Sequence, residues 1–493
     1  MTKLVASLVE RSISGVADSS KLAYAAGADI VEIRLDHLDS LSDQAIAEAR
    51  SAAHGPAIAT LRSRKEGGRS PLEGESRERK LGSIIDSEFE YVDLELGTDA
   101  KLLKSVAEEE LRPITIASTH FSKPVSRLAI ERALAAACGA ADIGKVAMPC
   151  AHAGHAIMLA QTALGMSGTK KRFVLVGMGV QGQLTRICAD SLGCELAYSC
   201  IPGKEAAPGQ LDLLKQRRLL DHDRILLGLI GHPVSHSVSK PMQEAALAEA
   251  GMTGVYLPLD FPPEELDKRA LRLLKDLGFV GVNVTIPHKG WGFEVCTKRS
   301  PAAIGTRAVN TLTFTRENIV GENTDVIGFS RLVEGKIAVS ENTSSLLVGA
   351  GGAARAVAYV LRKNRAKIDV TDKERDRAKK LARDFKGRAV TIKDIWREKK
   401  DYKLIVNCSP VGMKGMSDES PVREYVFRPG SVFVDVIFNP PKTRAMKLAE
   451  AKGSKAYGGL EMLVQQGAES FRLWTGIEPK VVAMREAAGR ALE

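Results

Sequence analysis

The sequence predicts an α/β protein in which an N-terminal (β/α)8 TIM barrel precedes a two-lobed α/β unit with one Rossmann-like lobe. Three observations predict this fold class. The chain has 493 residues, more than one hydrophobic core usually organises, so two units are expected. Eight short apolar runs alternate with helical segments in the first part. A glycine-rich turn joins a strand-like run to a helical run in the second part.

The eight runs of the first part are rich in apolar and β-branched residues, which is typical of buried strands. Helical segments such as LSDQAIAEARSA and VSRLAIERALAAACG lie between them. Eight alternations favour a closed barrel, although an open doubly wound sheet has similar periodicity. In chain order the runs are KLVASL, ADIVEIRLD, PAIATLRS, EYVDLEL, RPITIAS, ADIGKVAMP, RFVLVGMG and CELAYSCI.

The composition excludes several classes of protein. The formal net charge is +10, but the basic residues alternate with acids, as in DKERDRAKKLARDF, so no nucleic-acid partner is expected. No run of about 18 apolar residues predicts a membrane span. The seven cysteines include no CxxC pair, so neither disulfides nor a metal site is expected, and a cytoplasmic location is favoured.

Ionisable residues lie at the ends of the predicted strands or directly after them. A barrel builds its active site from these ends, so we expect the side chains to converge at one mouth. They are Glu32, Arg34 and Asp36 at the end of the second strand, Arg62 and Glu66 after the third, His120 at the close of the fifth, Lys145 in the sixth and Arg186 after the glycine-rich end of the seventh.

Lys145 interrupts a run that otherwise suits a strand buried on both faces. Burial disfavours an ammonium ion, so we expect a neutral amine that can attack a carbonyl group. The alternative is a lysine paired with Asp142 or Glu95, or one that reaches the barrel end. His120 on the preceding strand favours the nucleophilic role of Lys145 over a structural one, because an imidazole beside an imine can move protons near neutral pH.

The motifs VEIRLD, TLRSRKEGG, STHF, DIGKVAMP and APGQ follow one another in the first part. By these motifs, the first part of the chain resembles type I 3-dehydroquinate dehydratase over nearly the whole length of that part. The resemblance implies that Lys145 forms an imine with the ketone of 3-dehydroquinate, that His120 moves the proton, and that Glu66 holds the imidazole. It also implies a carboxylate clamp and ring-hydroxyl contacts, made by Arg186 and by Glu32, Arg34, Arg62 and Gln210.

One departure from this family lies in the APGQ loop. A serine is common two residues before the proline, and this chain has Ala206 there, followed by Ala207. We expect weaker closure of the loop over the substrate, by about 1 kcal/mol if one hydrogen bond is lost.

The pattern changes after the charged segment LDLLKQRRLLDHDR, so we place the boundary near residues 217 to 223. Farther along, SSLLVGAGGAARAVAYVL reads as a strand, a glycine turn and a helix, which begins a dinucleotide-binding unit. The next strand, KIDVTD, ends at the position where such a unit normally contacts the adenosine ribose of the dinucleotide. The predicted cofactor contacts are Gly349, Gly351, Gly352, Ala353, Asp372, Lys373 and Arg377.

The motifs GHPVSHSVSK, NVTIPHK, AVNTL, GENTDVIGF, NCSPVGM, DVIFNPPKT and GGLEMLVQQGAESF also occur in order. Together they resemble shikimate dehydrogenase across the second part. The resemblance implies that Lys289 and Asp325 transfer a proton while a nicotinamide delivers hydride to 3-dehydroshikimate. It also implies contacts to the substrate carboxylate and ring hydroxyls, made by Ser235 and Ser237 and by Asn283, Thr285, Asn310 and Gln466.

The second part also departs from its family. Lys240 replaces the proline of the HSxSP stretch, Gln243 and Glu244 replace a histidine and an asparagine, and Phe438 replaces a common tyrosine. NADP is the expected cofactor. NAD is the alternative, because Asp372 could bind both ribose hydroxyls and repel a 2′-phosphate, whereas Lys373 and Arg377 would attract that phosphate.

We therefore expect a bifunctional enzyme that performs two consecutive steps towards aromatic amino acids, with 3-dehydroquinate, 3-dehydroshikimate and shikimate as its small-molecule partners. The alternatives are a quinate dehydrogenase using NAD in the second part, and a metabolite-sensing regulator without catalysis. The expected domains are a barrel, 1–218, and a dehydrogenase, 224–493, with a substrate lobe of 224–330 plus 459–493 and a nucleotide lobe of 340–458.

Overall fold

The computed structural model describes residues 2–109, 112–220 and 223–493. Residues 221 and 222, inside the predicted boundary, lie outside this description. The chain forms two units, one of Met1–Arg224 with Leu259–Gly278 and one of Ile225–Pro258 with Phe279–Glu493. The segment Leu259–Gly278 lies within the predicted substrate lobe of 224–330 but shares its contacts with the first unit.

The predicted eight-stranded barrel is confirmed in the first unit. Every hydrogen-bonded strand pair described in it is parallel. The strands are β1 Lys3–Leu8, β2 Ile30–Arg34, β3 Ala57–Thr60, β4 Tyr91–Glu95, β5 Ile114–His120, β6 Ile143–Pro149, β7 Arg172–Met178 and β8 Leu196–Cys200. Their order is β7-β6-β5-β4-β3-β2-β1-β8. The two end strands also meet, since the N–H of Glu195, just before β8, donates to the carbonyl of Phe173 on β7 at 2.8 Å.

Helices follow the strands of the barrel. Several of them begin at a serine or aspartate whose side chain accepts a hydrogen bond from the first turn, as at Ser12, Ser42, Ser126 and Asp212, which satisfies a backbone donor that the helix leaves free. The helices are α1 Ile13–Ala25, α2 Asp43–Ser51, α3 Gly74–Ile85, α4 Ala100–Ala107, α5 Arg127–Ala140, α6 Ala153–Gly165, α7 Gln183–Ile187 and α8 Leu213–Leu219.

The period of two along each strand sets the polarity of the barrel interior. Val5, Ile30, Ile58, Ile116 and Ile143 belong to one buried apolar cluster. Two residues later on each of these strands, on the same face, stand the polar side chains Ser7, Glu32, Thr60, Ser118 and Lys145, all buried. The barrel therefore has an apolar floor, and its polar groups lie towards the carboxyl ends of the strands, as expected for an active site.

The second unit contains two sheets. The first has the order β10-β9-β11-β13-β14-β12, and the second has the order β17-β16-β15-β18-β19-β20, which is the doubly wound order of dinucleotide-binding folds. The strands are β9 Ile225–Gly231, β10 Gly254–Asp260, β11 Phe279–Val284, β12 Lys298–Arg299, β13 Thr311–Phe314, β14 Ile319–Glu322, β15 Ser344–Val348, β16 Lys367–Thr371, β17 Arg388–Ala389, β18 Leu404–Asn407, β19 Val432–Asp435 and β20 Lys455–Tyr457.

The helices at the C-terminus return to the first of these sheets, since Phe471, Trp474 and Met484 share a buried cluster with Leu227 and Tyr256. The remaining helices are α9 Ser239–Glu249, α10 Lys268–Asp276, α11 Lys289–Val295, α12 Pro301–Thr306, α13 Asp325–Val333, α14 Gly352–Lys363, α15 Arg375–Asp384, α16 Ile392–Glu398, α17 Arg444–Ala451, α18 Leu460–Thr475 and α19 Val481–Arg490. Among the described helices, none combines the length and hydropathy needed to cross a membrane.

Candidate active sites

A cavity of about 310 Å³ opens among the carboxyl ends of the barrel strands. Its volume suits a small cyclic acid. All eight side chains to which the family resemblance assigns a role in the barrel line it, although they come from elements spread over most of the barrel. They are Glu32, Arg34, Arg62, Glu66, His120, Lys145, Arg186 and Gln210.

Lys145 lies on β6 with only 4% of its surface exposed. Its Nζ donates to Oδ2 of Asp93 at 2.9 Å, lies 3.7 Å from Oε1 of Glu32 and sits 4.1 Å from the centre of the Tyr198 ring. Neither Asp142 nor Glu95, the partners considered from sequence, holds it. Asp142 instead binds Arg112, and Glu95 binds Ser63.

The predicted neutral amine at Lys145 is wrong for the protein without a ligand. Burial is the largest single influence on the pKa of Lys145 and lowers it, but Asp93, Tyr198 and Glu32 together raise it by more, so the net pKa lies above its ordinary value. Lys145 is therefore an ammonium ion here. A nucleophilic role requires that it lose a proton before it attacks.

His120 and Glu66 form a pair at the mouth of the cavity. Nδ1 of His120 lies 2.9 Å from Oε2 of Glu66, and the backbone N–H of His120 donates to the same oxygen at 3.1 Å. Burial is the main cause that lowers the pKa of His120 well below its ordinary value, and burial raises the pKa of Glu66 to about 7. The imidazole is therefore neutral, and with Glu66 ionised its Nδ1–H donates to the carboxylate and leaves Nε2 free to accept a proton.

Two arginines on neighbouring elements are held by carboxylates. Nη2 of Arg62 donates to Asp93 at 2.8 Å, and its Nη1 donates to Ser118 at 2.9 Å. Arg34 makes a bidentate contact with Asp36, at 2.9 Å for each bond. Both guanidinium groups are thus fixed before any ligand arrives, as a positioning role requires.

Arg186 differs because its Nε is buried without a hydrogen-bond partner among the described residues. Its Nη1 donates to the carbonyl of Tyr198 at 3.2 Å, and burial lowers its pKa to about 10. The group remains charged at neutral pH. An entering carboxylate would supply both an acceptor and a counter-charge.

Gln210 fixes the loop that carries the departure from the family. Its Oε1 accepts the backbone N–H groups of Ala206 at 2.8 Å and Ala207 at 3.1 Å, and its Nε2 donates to Ser7 at 3.3 Å. The loop is therefore anchored through its backbone. The expected weaker closure stays a prediction.

Sequence reasoning missed Asp93 and Tyr198. In EYVDLEL, Tyr91 belongs to the apolar cluster of the barrel interior, so the period of two places Asp93 on the same inward face. That alternation was the available signal. Tyr198 bears the same relation to Leu196 on β8, and its hydroxyl is buried without a hydrogen-bond partner among the described residues.

In the second unit, Lys289 begins α11 and Asp325 begins α13. Nζ of Lys289 donates to Oδ2 of Asp325 at 2.5 Å, and Nδ2 of Asn310 donates to Oδ1 of Asp325 at 2.9 Å. The alternative of a surface ion pair does not fit, because Asp325 is buried and Lys289 is largely covered. The pair is suited to proton transfer.

A buried polar network surrounds this pair. Nδ2 of Asn283 donates to Thr311 at 3.1 Å and to Ser470 at 3.0 Å, and the hydroxyl of Tyr256 donates to its Oδ1 at 2.8 Å. Oε1 of Gln466 accepts from Asn310 at 3.2 Å. Three of the four side chains predicted to contact the ring hydroxyls, Asn283, Asn310 and Gln466, therefore belong to this network. The fourth, Thr285, lies two residues after Asn283, just beyond β11.

The two predicted serines differ in their surroundings. Ser235 is exposed, whereas Ser237 is partly buried and accepts the N–H of Ser239 at 3.2 Å. Ser239 is itself buried and begins α9, two residues after Ser237. Ser239 is thus a further candidate contact that sequence reasoning missed, although it lies in the same SHSVS stretch.

The departures noted in this unit lie around the same network. Lys240 donates to the carbonyl of Tyr256 at 3.1 Å and also bonds Glu244. Gln243 donates to the carbonyl of Gly467 at 2.9 Å, and Phe438 packs against the neighbouring apolar cluster. These replacements are therefore accommodated within this unit.

The glycine turn after β15 fits a dinucleotide phosphate. Gly349 has φ +99°, and a Cβ there would lie 2.9 Å from backbone atoms of Cys408 and Ser409, so only glycine is tolerated. Gly351 precedes α14, which begins at Gly352 and continues with Ala353. Backbone N–H groups at such a helix start favour an anion.

Asp372 supports this turn. Its Oδ2 accepts the N–H of Ala350 at 2.7 Å, and its Oδ1 accepts the N–H of Glu374 at 2.8 Å. Lys373 and Arg377 are exposed beside it. Nη2 of Arg377 lies 3.8 Å from the point that a Cβ atom would occupy if Gly351 carried one. Two cationic side chains are therefore available where a ribose phosphate would lie.

Three family models match the chain. Type I 3-dehydroquinase matches residues 4–226, the shikimate dehydrogenase substrate binding domain matches residues 229–312, and the shikimate 5′-dehydrogenase C-terminal domain matches residues 459–488. The matches follow the order of the two predicted parts.

Curated relatives match one part of the chain or both. Shikimate dehydrogenase (NADP(+)) of Methanopyrus kandleri is 43% identical over 279 residues, which cover 54% of this chain and 96% of the relative. The chloroplastic bifunctional 3-dehydroquinate dehydratase/shikimate dehydrogenase of Arabidopsis thaliana is 29% identical over 510 residues, which cover 96% of this chain and 82% of the relative. The solved structure of shikimate 5-dehydrogenase from Thermus thermophilus with NADP(H) and shikimate is 37% identical, has a TM-score of 0.50 and covers 54% of this chain and 100% of that one.

Proposed function

The chain belongs to the type I 3-dehydroquinase family in its first part and to the shikimate dehydrogenase family in its second, and from this premise we propose that it is a bifunctional enzyme. The first reaction dehydrates 3-dehydroquinate to 3-dehydroshikimate. The second reduces that ketone to shikimate with NADPH. The observation that carries the proposal is that a relative named for both activities matches 96% of the chain.

One assay tests both steps together. The purified chain, supplied with 3-dehydroquinate and NADPH, should form shikimate and oxidise one NADPH per shikimate. Without NADPH it should stop at 3-dehydroshikimate. Failure to form 3-dehydroshikimate from 3-dehydroquinate would reject the first activity, and failure to reduce added 3-dehydroshikimate would reject the second.

In the barrel, Arg186 binds the substrate carboxylate and orients the ketone towards Lys145. The ammonium group of Lys145 first releases a proton to solvent, and the free amine attacks the ketone carbon to form a carbinolamine. A proton then returns to the carbinolamine hydroxyl group, which leaves as water, and an iminium ion remains. His120 removes a proton from the neighbouring carbon, so that electrons flow into the iminium group and form an enamine. His120 then protonates the leaving hydroxyl group, and hydrolysis of the resulting imine releases 3-dehydroshikimate and the free lysine.

The dehydratase activity should fall as the pH drops through about 7, because protonated Glu66 no longer holds the Nδ1–H tautomer of His120. The raised pKa means that the active carboxylate form is present above this pH and lost below it. Glu66→Gln should remove this acidic limb and lower kcat by about 100-fold. The measurement is kcat/KM against pH, and an unchanged acidic limb in the variant would contradict the assignment.

In the second unit, the ammonium group of Lys289 donates a proton to the ketone oxygen, and Asp325 orients and charge-balances it. Asn310 fixes the carboxylate of Asp325 from its other oxygen. Bound at the glycine turn, NADPH would supply the hydride. The turn and the cations Lys373 and Arg377 would hold its phosphates.

Arg377→Ala should raise the KM for NADPH about tenfold or more and change the KM for NADH little, because one charge-assisted contact to the 2′-phosphate is lost. Lys379→Ala, an exposed position on the same helix, is the matched control. Steady-state kinetics with both cofactors provide the measurement. An equal rise for NADH would show that Arg377 supports the turn and does not read the phosphate.

Quinate with NAD is the alternative substrate pair for the second unit. The NADP(+)-named relatives support the main proposal. Comparing the turnover of shikimate and quinate with each nicotinamide separates the two.

We also propose that the barrel domain spans 1–218 and the dehydrogenase domain 224–493. A cytoplasmic location is proposed because all seven cysteines are free thiols, which a reducing compartment preserves.

A further inference from the structure

Asp93 is a buried carboxylate that the proposed dehydratase mechanism does not yet use. Its Oδ1 accepts Nη2 of Arg62 at 2.8 Å and the hydroxyl of Ser118 at 2.5 Å, and its Oδ2 accepts Nζ of Lys145 at 2.9 Å. One oxygen is therefore held by two donors, and the other is directed at the nucleophile.

No other carboxylate of the barrel is placed as well for this contact among the residues described. Glu32 is farther from Nζ, at 3.7 Å, and its oxygens accept the hydroxyls of Ser7 at 2.7 Å and Thr60 at 3.0 Å. The ionisable and charged groups that act on Lys145 from other elements are Asp93 on β4, Glu32 on β2, Tyr198 on β8, Arg62 after β3 and His120 on β5.

The reacting nitrogen is cationic twice in the reaction. It is an ammonium ion before the attack and an iminium ion after the loss of water. In both forms the nitrogen has an N–H group that can donate a hydrogen bond to a carboxylate. A protonated imine withdraws electrons far better than a neutral one, so keeping that proton speeds the loss of the neighbouring carbon's proton.

Resting on the proposed dehydratase activity, we propose that Asp93 is the counter-ion of the reactive nitrogen, which holds Lys145 as an ammonium ion before substrate binds and keeps the imine protonated afterwards. Arg62 and Ser118 fix the carboxylate, so it stays in place while the nitrogen changes its bonds. The same residue thus slows formation of the free amine and speeds elimination.

Asp93→Asn preserves the shape of the side chain and removes its charge. Carbamylation of Lys145 by cyanate, which consumes only the neutral amine, reports protonation of the free enzyme without any turnover. Mass spectrometry of the Lys145 peptide should show the midpoint of this reaction about two pH units lower in Asp93→Asn than in the wild type. Glu32→Gln, which removes the more distant charge, should shift it less.

Turnover should fall, although the free amine of Lys145 becomes more available. In Asp93→Asn the alkaline limb of kcat should move to lower pH, and kcat at neutral pH should fall about 100-fold. Asp93→Glu, which keeps the charge, should return the cyanate midpoint towards the wild type. If Asp93→Asn does not fold, Asp93→Ser, which also removes the nearer charge, replaces it, and its cyanate midpoint should lie lower than that of Glu32→Gln, which removes the more distant charge.

An unchanged cyanate midpoint in folded Asp93→Asn, or a larger shift in Glu32→Gln, would overturn the inference. Failure of the proposed function is distinguishable, since it would appear as a wild-type protein that does not dehydrate 3-dehydroquinate whatever its cyanate midpoint.

Discussion

Replacing Lys145 with methionine should abolish dehydration of 3-dehydroquinate, with a loss on the order of 10⁴-fold or more in kcat, because no imine can form. Methionine is close to lysine in volume and apolar, so it suits the barrel interior. It does remove one of the two cations paired with Asp93, although Arg62 and Ser118 still donate to that carboxylate. Formation of the conjugated product, followed by its ultraviolet absorbance, provides the measurement.

Two controls accompany this variant. Reduction of 3-dehydroshikimate by the same protein should be unchanged, because Lys289 and Asp325 lie in the other unit. Lys170→Met, at an exposed position before β7, should leave both activities intact. Dehydration by Lys145→Met within tenfold of the wild-type rate would refute imine catalysis at this residue.

Replacing Lys289 with methionine should have the complementary effect. Reduction of 3-dehydroshikimate should fall by about 10² to 10⁴-fold in kcat, because the proton donor to the ketone oxygen is lost. NADPH oxidation in the presence of 3-dehydroshikimate measures it. The dehydratase rate of the same protein should stay at the wild-type value.

Lys298→Met, an exposed position on β12 of the same unit, is the matched control for Lys289. An equal loss in both variants would show that the effect comes from lost surface charge. A change only in the KM for substrate would instead assign Lys289 to binding, with the proton supplied by another group.

Much of the barrel could be predicted because its strands alternate with helices, and because its ionisable residues follow the strand ends. Eight residues scattered from Glu32 to Gln210 line one cavity for this reason. The state of Lys145 could not be predicted from burial alone. It depends on Asp93, which reaches the same point from a strand two positions away in the sheet order.

The second unit shows a similar limit. The glycine turn and the Lys289–Asp325 pair follow from local motifs. The role of Asp372 does not, since a carboxylate at a strand end can bind a ribose or a backbone, and only the structure shows both its oxygens bonded to backbone N–H groups. Likewise, only three-dimensional packing distinguishes exposed Ser235 from buried Ser239.

The most direct measurement is mass spectrometry of the protein after borohydride reduction in the presence of 3-dehydroquinate. An imine at Lys145 predicts one covalent adduct per chain, located on the peptide that contains Lys145, and none when substrate or borohydride is omitted. An adduct on a different lysine, or none on a protein that is dehydrating 3-dehydroquinate, would contradict it.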